Sequence, residues 1–104
     1  MEEKSEDKSG KIASVHKLFK ALGHPTRLQM VRLLLSGNEC CVKSLVQYTG
    51  EEFSCVSQHL RVLREAGLVM ESRRGRQNFY QLCHDEYVRQ LLGVGDGLLS
   101  LERP

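Results

Sequence analysis

The stretch SCVSQHLRVLREAGLVMESRRGRQNFYQL, residues 54–82, decides the fold because its hydrophobic period changes part-way along. Val56, Leu60 and Leu63 recur at helical spacing in its first half, which predicts a helix with one buried face. Gly67 is placed to end that helix. Beyond it the pattern alternates as in strands, so the stretch predicts a helix that leads into a sheet.

Two strands are predicted in the second half of the stretch. They span Leu68–Glu71 and Phe79–Leu82, and both are rich in apolar and aromatic residues. Residues 73–76 read Arg-Arg-Gly-Arg and predict a basic hairpin tip between them. A hairpin that follows the second helix of a helix-turn-helix is called a wing.

A first helix is predicted upstream, because Ile12, Val15, Phe19 and Leu22 recur at helical spacing before Gly23. Two more helices follow it. The second of these is short, and together with the glycine-containing turn after it and the helix of the quoted stretch it makes up a helix-turn-helix.

The second helix begins at His24-Pro25-Thr26, where proline fits the first turn, and its buried stripe runs from Leu28 to Leu35. A third, short helix between Val42 and Tyr48 ends at Thr49-Gly50, and Ser54 is the predicted N-cap of the fourth.

The chain has 104 residues, 40% hydrophobic and 27% charged, which is typical of one soluble globular domain. Residues 1–10 are polar and are expected to form a disordered tail, and residues 11–104 are expected to form the domain. A fifth helix is predicted from Asp85. Gly93, Gly95 and Gly97 interrupt it, so we expect it to need a partner surface.

Charge and hydropathy limit the class of protein. No apolar run approaches the ~20 residues that cross a bilayer, and the polar N-terminus lacks the apolar core of a signal peptide. A cytoplasmic protein without membrane contact is expected, in a compartment that keeps thiols reduced. The net charge is only +2, but five arginines within residues 54–77 face only Glu65 and Glu71. This concentration of positive charge favours a polyanion as partner.

Three segments together resemble the ArsR/SmtB family of winged helix-turn-helix repressors. They are LFKALGHPTRLQMVRLLL, ECCVKSL and the stretch quoted above, and they lie within residues 18–82. The resemblance implies a mainly α fold with a small β-hairpin, in the order four helices, two strands and a fifth helix. It also implies a homodimer formed by the first and last helices. Such a dimer binds an imperfect palindrome in double-stranded DNA and releases it when an inducer or oxidant arrives.

The polar residues of the fourth helix and the hairpin indicate a DNA-reading face. With the apolar stripe turned inward, these side chains fall on outward or flanking arcs of the helix. Glutamine can pair with adenine, serine can reach phosphates or base edges, and arginines can contact phosphates or the minor groove. The predicted DNA-binding residues are Ser54, Ser57, Gln58, Arg61, Arg73, Arg74, Arg76 and Gln77.

Two alternatives to DNA binding remain open for this surface. It could be an ordinary solvated helix face with no binding role, or the winged helix could bind proteins and not DNA. An enzyme is disfavoured, because no spacing sets a nucleophile beside a base and no glycine loop could cradle phosphate.

Cys40 and Cys41 are adjacent at the predicted start of the third helix. Neighbours on a helix point about 100° apart, which makes them a poor chelating pair. A disulfide between them is strained, because their Cα atoms lie ~3.8 Å apart and unstrained bridges prefer ~4.4 to 6.8 Å. A strained bridge is easily reduced and suits a reversible redox switch. The helix N-terminus and Lys43 would lower the thiol pKa, and Glu39 would oppose them.

The pair also resembles thiol-redox, peroxide-responsive (RexT-like) members of that family. Oxidation is expected to distort the third helix, which supports the DNA-reading helix, and so to lower DNA affinity. A buried pair without a sensing role is the simpler alternative.

Soft-metal or arsenite sensing is the other alternative. By the resemblance, Cys41 falls on the first cysteine of the family's soft-metal motif, but Lys43 occupies the second. Cys55 could join Cys40 and Cys41 as a third thiolate, whereas Cys83 is predicted to be structural. A second family site, for zinc, would fall on His84, Glu86, Gly97 and Ser100, of which the last two are not strong zinc ligands. Both of the family's usual metal sites are therefore incomplete in this sequence, which leaves Cys40, Cys41 and Cys55 as the alternative metal site, and no cofactor is expected.

Overall fold

The computed structural model describes residues 14–37 and 39–102, with side chains as far as residue 93. Its elements in chain order are α1 Val15–Leu22, α2 Pro25–Leu34, β1 Cys40–Cys41, α3 Val42–Thr49, α4 Phe53–Glu65, β2 Val69–Arg74, β3 Gln77–Leu82 and α5 Asp85–Glu102. This order confirms the predicted winged helix-turn-helix fold, mainly α with a small sheet. The predicted tail, residues 1–10, lies outside the described residues.

The sheet is antiparallel and has the strand order β1-β3-β2. Its hairpin is longer than predicted, with a register that runs from Val69↔Leu82 to Arg74↔Gln77. The turn is therefore only Gly75-Arg76, and Gly75 has a φ of 62°, which a residue with a side chain rarely adopts. Arg73 and Arg74, which were predicted to lie at the hairpin tip, are therefore the last two residues of β2.

The predicted helical placement of Cys40 and Cys41 was wrong, because these residues form the short strand β1. Cys40 pairs with Tyr80, and Cys41 pairs with Phe79. Successive side chains of a strand leave opposite faces, so the two thiols diverge more than neighbours on a helix would. Helix α3 begins directly after them, with Cys41 as its N-cap residue.

The first helix is confirmed, but its buried face matches the predicted stripe only at Leu22, and Ile12 lies outside the described residues. Leu18, Ala21 and Leu22 lie in the core. Val15 and Phe19 are 60% and 57% exposed. The periodicity identified the helix correctly, while the α1 surface keeps two apolar side chains in solvent.

The core lies between α1–α4 and one face of the hairpin, and α5 closes it with Val88. Met30 of α2, Leu45 of α3 and Leu60 of α4 are each at most 2% exposed. Removing a large side chain from such a site costs about 2–5 kcal/mol of folding free energy. The functional surface is therefore built on a rigid support.

The ends of α4 and α5 differ from the prediction. Helix α4 begins at Phe53 with Glu52 as N-cap, and not with Ser54 in that position. Gly50, which ends α3, has a φ of 78° and turns the chain sharply towards α4. Helix α5 is continuous through its glycines. Among the described residues, no helix is long and apolar enough to cross a membrane.

Candidate DNA-binding surface and thiol pair

Helix α4 presents a polar face to solvent along its whole length. Ser54, Gln58 and Arg61 are exposed and share one face at i, i+4 and i+7, and Ser57 beside them is half-buried. The opposite face is anchored in the core through the apolar stripe that the sequence predicted. The predicted reading residues of this helix are thus held in one orientation by the core behind them.

The wing carries the second group of predicted DNA-binding residues. Arg73 and Arg74 end β2, Arg76 lies in the turn, and Gln77 begins β3. All four are exposed. The structure therefore brings the basic side chains together at the outer end of the hairpin.

The wing arginines differ in their partners. Arg74 forms an ion pair with Glu39, which directly precedes β1, and its guanidinium lies 4.9 Å from the ring centre of Phe79. Within the described part of the chain, Arg73 and Arg76 form no ion pair. Their charge is therefore free for a polyanion, whereas that of Arg74 is partly offset.

A joint between α4 and the wing fixes their relative position. Arg64 of α4 forms an ion pair with Glu71 of β2. Burial, followed by the charge of Glu71 and a hydrogen bond to it, raises the pKa of the Tyr80 hydroxyl. An open cleft of about 250 Å³ lies at this joint, lined by Ser57, Leu60, Arg61, Arg64, Glu71 and Tyr80.

A second joint connects α4 to α2. The ring centres of His24 and His59 lie 4.6 Å apart, and Arg27 Nη1 is 3.5 Å from His59 Nδ1. The Thr26 hydroxyl donates a 2.9 Å hydrogen bond to Glu51, in the turn before α4. His59 is thus packed between α2 and α4, with Arg27 within hydrogen-bonding distance.

The two paired cysteines lie in different surroundings. Cys40 is 7% exposed and packs in the hydrophobic core, whereas Cys41 is half-buried, with its Sγ 3.5 Å from the Ser44 hydroxyl. Burial, and then the charge of Cys41, raises the pKa of the Cys40 thiol. The Ser44 hydroxyl, and then the backbone N–H of Ser44, lowers the pKa of the Cys41 thiol. Cys41 is therefore the more readily ionised of the two.

Lys43 contributes to this lowering through its backbone N–H. Its side chain is exposed, and no charge effect of its ammonium on the Cys41 pKa is found. Glu39, which was expected to oppose the lowering, is engaged with Arg74.

The other two cysteines are separate from this pair. Cys55 is exposed on α4, whereas Cys83 is 8% exposed after β3, where burial raises the pKa of its thiol. Among the described side chains, residues 14–37 and 39–93, no three from His, Cys, Asp or Glu are grouped so that they could hold a metal ion. The set of Cys40, Cys41 and Cys55 considered for arsenite is thus not assembled within one chain.

Comparison with known proteins explains this combination of helix-turn-helix and wing. Residues 24–71 match the model of the bacterial regulatory protein family named arsR. The chain is 32% identical over 88 residues to the HTH-type transcriptional regulator MJ1325 of Methanocaldococcus jannaschii, spanning 85% of this chain and 98% of that one. It is 42% identical over 77 residues to the biofilm growth-associated repressor of Xylella fastidiosa, spanning 74% of this chain and 67% of that one.

The chain belongs to the ArsR family. It is accordingly a DNA-binding transcriptional repressor, and neither the family nor these relatives are enzymes. The homodimeric winged helix-turn-helix domain Mb0332 of Mycobacterium bovis, solved by NMR, superimposes with a TM-score of 0.74 at 27% identity, over 100% of this chain and 94% of that one.

Two contacts of this ArsR-family chain were missed at the sequence level. Glu39 lies 35 positions before Arg74, so local spacing gives no sign that they meet. The joint of Thr26 with Glu51 is similarly distant, although a threonine that follows His-Pro at a helix start could have signalled a polar contact there. Of the family's zinc positions, His84 and Glu86 are exposed, whereas for Gly97 and Ser100 the structure describes only the backbone of α5.

Proposed function

We propose that the chain works as a homodimer that binds an imperfect palindromic operator through α4 and the wing, and that oxidation of Cys40 and Cys41 to a disulfide releases the operator. The observation that carries the DNA-reading part is the polar face of α4, held by the core, beside a wing with exposed arginines. A DNA partner also supports a cytoplasmic location.

The chemistry of each side chain suggests its role on the duplex. Gln58 would pair with adenine in the major groove, while Ser54 and Ser57 reach phosphates or base edges. Arg61 and the wing residues, Arg73, Arg74, Arg76 and Gln77, would contact phosphates or the minor groove and supply salt-sensitive affinity.

The homodimer is supported by apolar side chains that the single chain leaves in solvent. Val15 and Phe19 of α1 are exposed, and Tyr87 of α5 is 45% exposed. Burial of such residues against a second copy is favourable by about 25 cal/mol for each Å² of apolar surface. The homodimeric state of Mb0332 gives further support.

Oxidation would begin at Cys41, whose thiolate is the more accessible and the more readily formed. The thiolate attacks one oxygen of a peroxide, the O–O bond breaks, and a sulfenic acid and hydroxide result; an organic peroxide leaves an alkoxide instead, which takes a proton from water to become an alcohol. The Cys40 sulfur then attacks the Cys41 sulfur, and water leaves as the S–S bond forms. Two thiols are oxidised and one peroxide is reduced.

The position of β1 supplies a route from the disulfide to DNA. The two side chains leave opposite faces of the strand, so closing the bridge requires β1 to leave its pairing with Phe79 and Tyr80. Glu39 and Phe79 both hold Arg74. Movement of β1 would therefore disturb the base of the wing as well as the start of α3.

DNA binding is tested by a salt-controlled mobility-shift assay with duplex DNA from the promoter of the chain's own gene. Gln58→Ala is expected to weaken binding to that duplex by about tenfold, the effect of one bidentate base contact, while leaving non-specific binding unchanged. No shift of the wild type at low salt would contradict a DNA-reading role.

The switch is tested by counting free thiols and measuring DNA affinity after stoichiometric peroxide, and again after dithiothreitol. Wild type should lose two thiols and its DNA affinity, then regain both. Cys40→Ser and Cys41→Ser should each abolish the reversible response. Cys55 is an exposed thiol outside the pair, so Cys55→Ser should behave as wild type. A reversible wild-type response in Cys40→Ser would contradict the proposal.

Soft-metal or arsenite sensing through Cys41 with Cys40 and Cys55 is the second candidate, and it requires these three thiols, which are not grouped in the described chain, to come together around the metal. It predicts that arsenite or cadmium releases DNA without oxidant and that Cys55→Ser abolishes this release. The same assay with metal in place of peroxide therefore distinguishes the two inducers.

A further inference from the structure

Phe53 is a large apolar side chain for which the proposed contacts give no role. It is the first residue of α4 and is 64% exposed, the highest value among the exposed large hydrophobic residues of the described chain. Phe53 extends the buried stripe by one turn, beyond the end of the core that covers Val56 and Leu60.

The direction of this side chain follows from helix geometry. The Cα–Cβ bonds of an α-helix tilt towards its N-terminus, so the side chain of the first residue projects past the helix end. When a reading helix docks in the major groove, its N-terminal residues are the ones that reach the base edges. Phe53 also lies one helical turn before Ser57, at i and i+4, and so borders the polar face of α4 at its edge with the buried stripe.

The start of α4 is suited to bases more than to the phosphate backbone. Glu52 is exposed, and its side chain makes no capping hydrogen bond to α4. A carboxylate is repelled by phosphates, but it can accept a hydrogen bond from cytosine N4 in the major groove. Glu51 beside it is tied to Thr26 and fixes the turn before the helix. An acid and an aromatic ring at this end therefore favour pyrimidines.

We infer that Phe53 contacts the 5-methyl group of a thymine in each half-site of the operator and is a specificity-determining residue. The thymine methyl is the apolar group of the major groove, and phenylalanine is among the side chains that pack on it. The inference rests on the proposed entry of α4 into the major groove.

The test uses duplex DNA selected by the wild-type protein from a random-sequence library. Each thymine of one half-site is replaced in turn by deoxyuridine, which lacks only the 5-methyl group. For the wild type, one replacement should weaken binding about fourfold, as expected for one buried methyl group. For Phe53→Ala, the thymine and deoxyuridine duplexes should bind equally well.

Tyr48→Ala is the matched control, because Tyr48 is an aromatic residue of similar exposure, 50%, that lies on α3 and not on α4. It should retain the fourfold preference for thymine. An unchanged thymine preference in Phe53→Ala, or no effect of any deoxyuridine on the wild type, would overturn the inference. Failure of the wild type to select any sequence would instead count against the proposed reading of DNA by α4.

Discussion

The arginines of the wing look alike in the sequence, but in the structure they differ in whether a carboxylate offsets their charge. Arg73, Arg74 and Arg76 were all predicted as DNA contacts because they form one basic cluster. The sequence predicts that cluster because the alternation of a strand and a glycine turn both depend only on residues that are close together along the chain. It could not predict that Glu39 neutralises one member, since that contact depends on the strand β1.

This difference gives a prediction for salt dependence. Arg73→Ala should reduce the slope of log affinity against log salt by about one for each copy of Arg73 at the DNA. The reason is that each copy is proposed to contact one phosphate and has no carboxylate partner in the described chain. Arg74→Ala should reduce the slope by less, because Glu39 already offsets its charge. The measurement is fluorescence anisotropy with a labelled duplex over a series of salt concentrations. Equal reductions in the two variants would show that Glu39 does not hold Arg74 in solution.

The helices were largely predictable and strand β1 was not. A run of ten or more residues has enough turns to reveal a helical period, which is why α2 and α4 were found. A strand of two residues has no measurable period, so Cys40 and Cys41 were assigned to the following helix. The buried face of α1 was missed for another reason: Val15 and Phe19 are apolar but remain exposed in one chain.

The contact between α2 and α4 gives a prediction for pH. Burial, and then the charges of His24 and Arg27, lowers the pKa of His59 below its ordinary value near 6.5, although Glu51 acts in the opposite direction. Because the unfolded chain binds this proton more tightly, the free energy of unfolding should fall as pH drops below about 6.5.

Thermal unfolding between pH 7.5 and 5 measures the effect. The melting temperature of His59→Gln should fall less steeply on acidification than that of the wild type. His16→Gln is the control, because His16 is exposed on α1 and lies outside this cluster. Parallel curves for wild type and His59→Gln would contradict the assignment.

In the single chain, the apolar side chains of Val15 and Phe19 on α1 are exposed to solvent. The proposed dimer predicts that Phe19→Glu raises the dissociation constant of the dimer by at least about a hundredfold, because an unpaired carboxylate would be buried. Sedimentation at micromolar concentration should then give the mass of one chain. Tyr48→Glu, which alters an exposed aromatic residue of α3, should leave the mass unchanged. A dimer that persists in Phe19→Glu would exclude α1 from the interface.

The strand order β1-β3-β2 has a consequence for solubility. Strand β3 is the middle strand, and β1 covers its second side only at Phe79 and Tyr80. If β1 leaves when the thiols are oxidised, the backbone N–H and C=O groups of that side lose their partners and form an open edge. Open edges recruit strands from other molecules and lead to aggregation. If the proposed switch operates, prolonged oxidation would therefore lead to aggregation of the protein.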